Sequence, residues 1–241
     1  CWVPSNLPAS YYMYRVYEGE STALVETTSQ ENTENCREWQ KMTSRNIPLD
    51  EIHYVVYSMQ LEEMEKVATR RDSTYRNRFL EHITKKDTAI LDFLLLAKTN
   101  EYIRAKRNSR WYYPSMKIGA RMTLEEVAQA SLSADIPALR ERYLLQGIRA
   151  LFSLARYDEC IRIWEEEVQL LPRENLMRRM IEPYIAGARY HTGQIKSDVE
   201  YFAQSGDIES MLYCSYLSGE RISAVKALSM ICESNPNHPH I

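Results

Sequence analysis

From Asn35 onward, apolar residues return every three or four positions, the spacing that gives a helix one buried face. Asn35 to Thr43 reads as a short helix. Pro48 then stands at a helix start, with Asp50 and Glu51 in the first turn, where the helix dipole favours acids. Ile52, Val55, Val56, Met59 and Met64 continue one apolar stripe. A third helix is predicted from about Thr74 to Ile83. A long fourth runs from near Asp87 to about Asn108, carrying Leu91, Leu94, Leu95 and Ile103. Trp111-Tyr112-Tyr113-Pro114 ends that helix, because Pro114 pushes Tyr113 out of the α region. Thr123 to Ser133 resumes the pattern, with Thr123 and Glu126 spaced as a capping box.

The first 35 residues follow a different rule. Pro4 and Pro8 punctuate them, and Tyr11-Tyr12-Met13-Tyr14-Arg15-Val16-Tyr17 has β-type composition over a short length. Glu18 to Asn35 is rich in Ser, Thr and Glu and reads as loop. No strand-like alternation recurs after residue 20. The chain is therefore predicted to be all-α. An extended arm covers 1–35, a helical region without a repeat signature covers 36–134, and helical hairpins cover 135–241.

In that last region a pattern recurs. Cys160-x3-Trp164 is followed eight positions later by Pro172, and Leu144, Gly147, Ile148 and Leu151 precede it at first-helix packing positions. Ala155-Arg156-Tyr157-Asp158-Glu159 supplies the turn between the two helices. Ala224-x3-Leu228 is likewise followed by Pro236, with Gly219 in its turn. Between them lies a weaker copy, Gly193 and then Asp198-x3-Phe202, without the proline. The anchors Cys160, Asp198 and Ala224 are 38 and then 26 residues apart. Over about 138–238 the chain resembles tetratricopeptide repeats, whose period is about 34 residues. A small residue lets the helices of a hairpin cross closely, the aromatic fills the groove between hairpins, and the proline ends one helix before the next. Asp198 departs from the small-residue rule.

The resemblance implies an α-α superhelix, a right-handed helical-repeat array that binds a protein or peptide on the concave face made by its first helices. Groove positions would come from 141–153, 178–190 and 207–216. Arg142, Arg149, Arg178 and Arg189 would present charge there, suited to an acidic peptide or chain terminus. More loosely, the chain resembles uncharacterised secreted helical-repeat proteins of Gram-negative gut bacteria. The Tyr11–Tyr17 segment, Phe93-Leu94-Leu95-Leu96-Ala97-Lys98 and Trp111-Tyr112-Tyr113-Pro114 carry that likeness. It implies a cell-envelope location and no particular activity.

Charge narrows the partner. A formal net charge of −3 lacks the basic excess of a nucleic-acid binder. No run of eighteen apolar residues exists to cross a membrane as a helix. Cys1 reads either as the lipid-bearing first residue of a bacterial lipoprotein or as a chain boundary that falls on cysteine. Lipid on Cys1 would be the one route to membrane association. The other cysteines, Cys36, Cys160, Cys214 and Cys232, show neither metal-site nor disulfide-framework spacing; the last three fall in predicted helices, as small buried residues.

Catalytic patterns are missing. There is no Gly-rich phosphate loop, GxSxG or HExxH. Glu165-Glu166-Glu167 splay about 100° apart around a helix and form no acid–base pair. His238-Pro239-His240 supplies too few ligands for zinc. No catalytic residue, cofactor or metal is expected. Arg104, Lys106, Arg107 and Arg110 suit the negative end of the fourth helix. Trp111, Tyr112 and Tyr113 either pack on the arm or form a platform for sugar rings. A carbohydrate-binding envelope lipoprotein is thus the alternative to a protein-binding scaffold.

Overall fold

The computed structural model describes residues 22–69, 76–108, 122–193 and 223–234. Every regular element among them is helical, with no strand. In chain order they are α1 (Thr22–Met42), α2 (Leu49–His53), α3 (Leu61–Ala68), α4 (Arg78–Lys85), α5 (Thr88–Asn108), α6 (Leu124–Ser133), α7 (Arg140–Ser153), α8 (Tyr157–Glu166), α9 (Leu176–His191) and α10 (Ala224–Ser234).

Elements with strong local signals begin where the chain predicts. Thr123 caps α6, its hydroxyl accepting from Glu126 N at 3.2 Å while Thr123 N donates to the Glu126 carboxylate at 2.7 Å. Asn77 caps α4 by accepting from Leu80 N at 2.9 Å, four residues later than the predicted start. The single stripe expected from Ile52 to Met64 is broken in two. α2 widens into a π-helical turn over Tyr54–Ser58, closed by Met59 N donating to Tyr54 O at 2.8 Å. Met59 turns extended, and Gln60 starts α3 by donating its N–H to Glu63 at 3.0 Å.

The largest departure is at the N-terminal side. α1 begins at Thr22, so residues 22–34 are helix where loop was expected. Further along, α1 is held by Cys36 and Trp39, both buried, and by long-range ion pairs. Glu34 pairs with Arg179 at 2.6 Å and Glu38 with Arg142 at 2.9 Å.

Trp39 lies with Phe79 and Phe93 at 6.4 and 5.7 Å between ring centroids, inside a core shared with Ile52, Met64 and Ile83. A second core joins α6 to α9 through Val127, Ile148, Leu151, Trp164 and Ile181. α7 reaches both, since Tyr143 belongs to the first core and Leu144 to the second.

α5, α7 and α9 lie side by side and run the same way. Asn100 and Arg104 of α5 meet Gln146 and Ser153 of α7. Glu141 and Phe152 of α7 meet Asn175 and Tyr184, just before and within α9. α6 and α8 return the chain between them. Gly147 lets α6 come close: a Cβ there would stand 2.8 Å from the Leu132 side chain. Cys160 is fully buried at the α7–α8 crossing, its Sγ 3.7 Å from Ile148 O.

The turn after α7 satisfies its last carbonyls in a Schellman pattern. Arg156 N donates to Leu151 O and Ala155 N to Phe152 O, both at 3.0 Å. This requires Ala155 at φ 61°, a left-handed conformation that costs an L-residue about 1–2 kcal/mol and glycine almost nothing. Ala155→Gly is expected to raise stability by about 0.5–1 kcal/mol, read as a higher denaturant midpoint at unchanged slope.

Burial also grades the thiols. Cys36 and Cys160 are buried and Cys232 is exposed, which corrects the expectation that Cys232 is a buried helical residue. Cys214 lies outside the described residues. Burial pushes the Cys160 thiol up to about 12 from 9.0. A raised folded-state value favours the native state while the thiol is protonated. That contribution is complete below pH 9 and is lost as pH climbs toward 12. At mildly alkaline pH, iodoacetamide is expected to label Cys232 quickly and Cys160 only on unfolding, checked by peptide mass spectrometry.

Candidate functional site

The arginines of α7, α8 and α9 differ in what surrounds them. Arg140 holds Glu167 with two nitrogens, at 2.9 and 2.6 Å. Arg142 meets Glu38 and Arg179 meets Glu34. Arg162 pairs with Glu166 at 2.7 Å, Arg178 with Glu182 at 3.5 Å and Arg189 with Glu165 at 4.0 Å. Arg149 is the exception on these three helices, with no carboxylate in reach among the described residues.

Across from it on α5, Arg104 is nearly as buried as a core residue, at 7% exposure. Its Nε donates to Ser153 Oγ at 2.9 Å, and that hydroxyl donates in turn to Arg149 O at 2.9 Å. Ser153 therefore orients Arg104. The nearest acid along α5, Glu101, is drawn to Lys98 at 3.8 Å. The same seam continues one turn earlier, where Asn100 donates to Gln146 O and Oε1, both at 3.0 Å. Asn100 Oδ1 has no donor there, and Arg149 Nε is buried without an acceptor.

Arg104 Cζ sits 5.7 Å from the ring centroid of Tyr184, on α9, and the charges of Arg149 and Arg104 both act on that phenol. Burial alone would raise this phenol's pKa. The charges of Arg149 and Arg104 outweigh it and hold the value below the usual tyrosine range. Phe152 packs edge-on against Tyr184 at 5.6 Å and against Tyr157 at 5.2 Å, and Tyr157 stacks on His191 at 4.4 Å. Two cations and a phenol thus stand against an aromatic wall, with no carboxylate in ion-pair contact with either cation among the described residues. Their chemistry is that of an anion receptor.

The four arginines expected along the groove divide accordingly. Arg142 does not present its charge to a partner, because it is folded inward at 6% exposure. It donates to Asn35 Oδ1 at 2.6 Å and to Glu38, and its Cζ lies 3.9 Å from the Trp39 ring centroid. Arg178 is also committed internally. It donates to the carbonyls of Gln169 and Leu171 at 3.1 and 2.5 Å and lies 5.4 Å from the Trp164 ring. Arg189 is half-buried near Glu165. Arg149 is half-buried, with no carboxylate in ion-pair contact among the described residues.

Arg104 was missed as its partner, having been assigned to the helix end. The available signal was its register four residues after Asn100, on the face α5 turns toward α7. Trp111, Tyr112, Tyr113 and Cys1 lie outside the described residues, as do positions 207–216. Among the described residues, no group of three or more His, Cys, Asp or Glu side chains could hold a metal ion. No described helix is long and apolar enough to cross a membrane.

No family model matches this chain, and neither a curated protein nor a solved structure matches it. The likenesses to tetratricopeptide repeats and to secreted bacterial proteins therefore rest on this chain's own residues.

Proposed function

We propose that this chain is a non-catalytic protein-interaction scaffold whose first helices bind an acidic protein or peptide. The observation that carries this reading is the pair Arg104 and Arg149, neither in an ion pair with a carboxylate among the described residues, whereas the other arginines of α7, α8 and α9 each have one. Two cations held beside a buried phenol are costly to maintain, and an incoming acid relieves them. The molecule supplies its own precedent. At the other end of the same helices, Arg142 and Arg179 already hold an acidic helix face, Glu38 and Glu34 of α1.

A tetratricopeptide-like, right-handed array is the architecture proposed for this face. Three features support it: α5, α7 and α9 run in register, Gly147 permits close approach, and Cys160 occupies the hairpin crossing. The proposal extends to the cell envelope on the loose likeness to secreted helical-repeat proteins alone. The partner is a protein or peptide rather than nucleic acid. No described residue favours the glycan alternative.

Titrating a fluorescently labelled hexaglutamate peptide tests the reading. Arg149→Glu is expected to weaken binding by about tenfold or more, because it replaces attraction by repulsion. Arg162→Glu, on an exposed part of α8, is expected to change it by less than about threefold under the screening of physiological salt. Equal affinity of Arg149→Glu and wild type would contradict the proposal.

A further inference from the structure

We infer that α10 is a contact through which two copies of this chain pair, with the two helices antiparallel about a two-fold axis. The contact owes nothing to α5, α7 and α9 or to what they bind.

α10 carries an exposed apolar stripe. Of the four large apolar side chains left exposed among the described residues, two stand on this helix: Val225 at 74% and Leu228 at 42%. Cys232, also exposed, follows one turn later. The three are spaced three and then four residues apart, which lines them up along one side of a helix as the seam for another helix. Apolar residues exposed singly are ordinary, whereas three in line are what a partner helix covers.

Charge selects the occupant. Lys226 and Glu233 are seven residues apart, so they lie on the same flank of the stripe toward opposite ends of α10. An antiparallel two-fold pairing lays each flank against the same flank of the other copy with its ends reversed. Lys226 of each copy then meets Glu233 of the other. A parallel pair would set that flank against the other copy's opposite side and leave both charges unmatched. Such self-complementarity is what a two-fold contact between identical chains requires.

The same register places Leu228 of each copy beside Cys232 of the other. The two Cys232 residues are then offset by about 7–8 Å along the axes, in addition to the helix separation, which is too far for a disulfide. Ser229, near the centre, already donates its hydroxyl to Val225 O at 3.1 Å, so covering it strands no donor. Ser223 accepts from Lys226 N at 3.2 Å and holds the first turn of the helix. One helix of 11 residues per copy is a small contact, so the pairing is weak, with a Kd of about 10 µM to 1 mM.

Sedimentation velocity of the full chain across that concentration range, in reducing agent, tests the pairing. A reversible monomer–dimer equilibrium is expected. Val225→Glu is expected to raise the Kd about tenfold or more by placing a charge in the seam, and it spares folding because Val225 is exposed in the monomer. Lys226→Glu is expected to raise it about three- to tenfold, and Lys226→Glu combined with Glu233→Lys to restore it. On wild type alone, alkylation of Cys232 is expected to slow as concentration rises and the stripe is covered. A chain that stays monomeric up to about 1 mM would overturn the inference and leave the stripe to a different partner. So would a dimer that Val225→Glu leaves intact, or one that reducing agent abolishes. A dimer lost in Val225→Glu yet indifferent to both charge variants would overturn the antiparallel arrangement.

Discussion

Trp39→Ala is expected to cost about 3–5 kcal/mol, the range for emptying a large aromatic site in a packed core. Trp39 is 1% exposed and touches three parts of the fold at once. Its ring meets Phe79 of α4 and Phe93 of α5, and the Arg142 guanidinium of α7 lies against its face at 3.9 Å. Few small adjustments close a void bordered by three helices and a buried cation, so the loss belongs at the upper end. Trp39→Phe retains part of the volume and the edge-on contacts, and is expected to lose roughly half as much. Chemical denaturation reads both, with the midpoint falling. A loss below about 1 kcal/mol for Trp39→Ala, ordinary for an exposed residue, would show that α1 is not docked through this side chain.

Arg142→Ala is expected to cost about 3 kcal/mol or more, for a different physical reason. The substitution strands Glu38 and Asn35, which lose charge-assisted donors at 2.9 and 2.6 Å. It also removes a cation held over Trp39, worth about 2 kcal/mol when desolvated. Burial lowers the Arg142 pKa to about 10, with Glu38 opposing that shift, so the residue is a cation at neutral pH. Pairing Arg142→Met with Glu38→Gln separates the contributions. The double variant is expected to be more stable than the sum of the single losses implies by about 1–3 kcal/mol, because neither partner is then left charged and alone. Additive losses would mean the Glu38 contact contributes nothing of its own.

These two residues also show what the sequence makes legible. α5 and α6 were readable because their signals are local: a periodic stripe through Leu91 and Leu94, and a capping box of four residues from Thr123 to Glu126. The all-helical class followed from the same signals. α1 was not readable upstream of Asn35, because what holds its acids lies more than a hundred residues away, Glu34 at Arg179 and Glu38 at Arg142. Periodicity sees one helix at a time and is blind to such pairs. The π-helical turn at Tyr54–Ser58 was hidden for the opposite reason, since one extra residue per turn barely disturbs an apolar spacing.

The candidate site divides along the same line. Arg149 stood out as a cation on a first helix, yet so did Arg142 and Arg178, and composition alone cannot tell a committed arginine from a free one. Only the packed arrangement shows that Arg142 is taken by α1, that Arg178 secures the carbonyls of Gln169 and Leu171, and that Arg104 lies against the Tyr184 ring. The turn at Ala155 shows a clearer correspondence. The turn predicted at Ala155 to Glu159 is present, and at Ala155 the backbone takes up the left-handed conformation that glycine would adopt with less strain.

The most direct test of the anion receptor is nuclear magnetic resonance of its own side chains. With arginine Nε and tyrosine rings isotopically labelled, hexaglutamate is added in steps to the full chain. The Nε–H signals of Arg104 and Arg149 and the ring signals of Tyr184 are expected to move together along one saturable curve, while that of Arg142, held by Glu38 and Asn35, stays in place. Saturable shifts confined to arginines already paired with carboxylates, such as Arg162, would contradict the site, as would no saturable shift at Arg149.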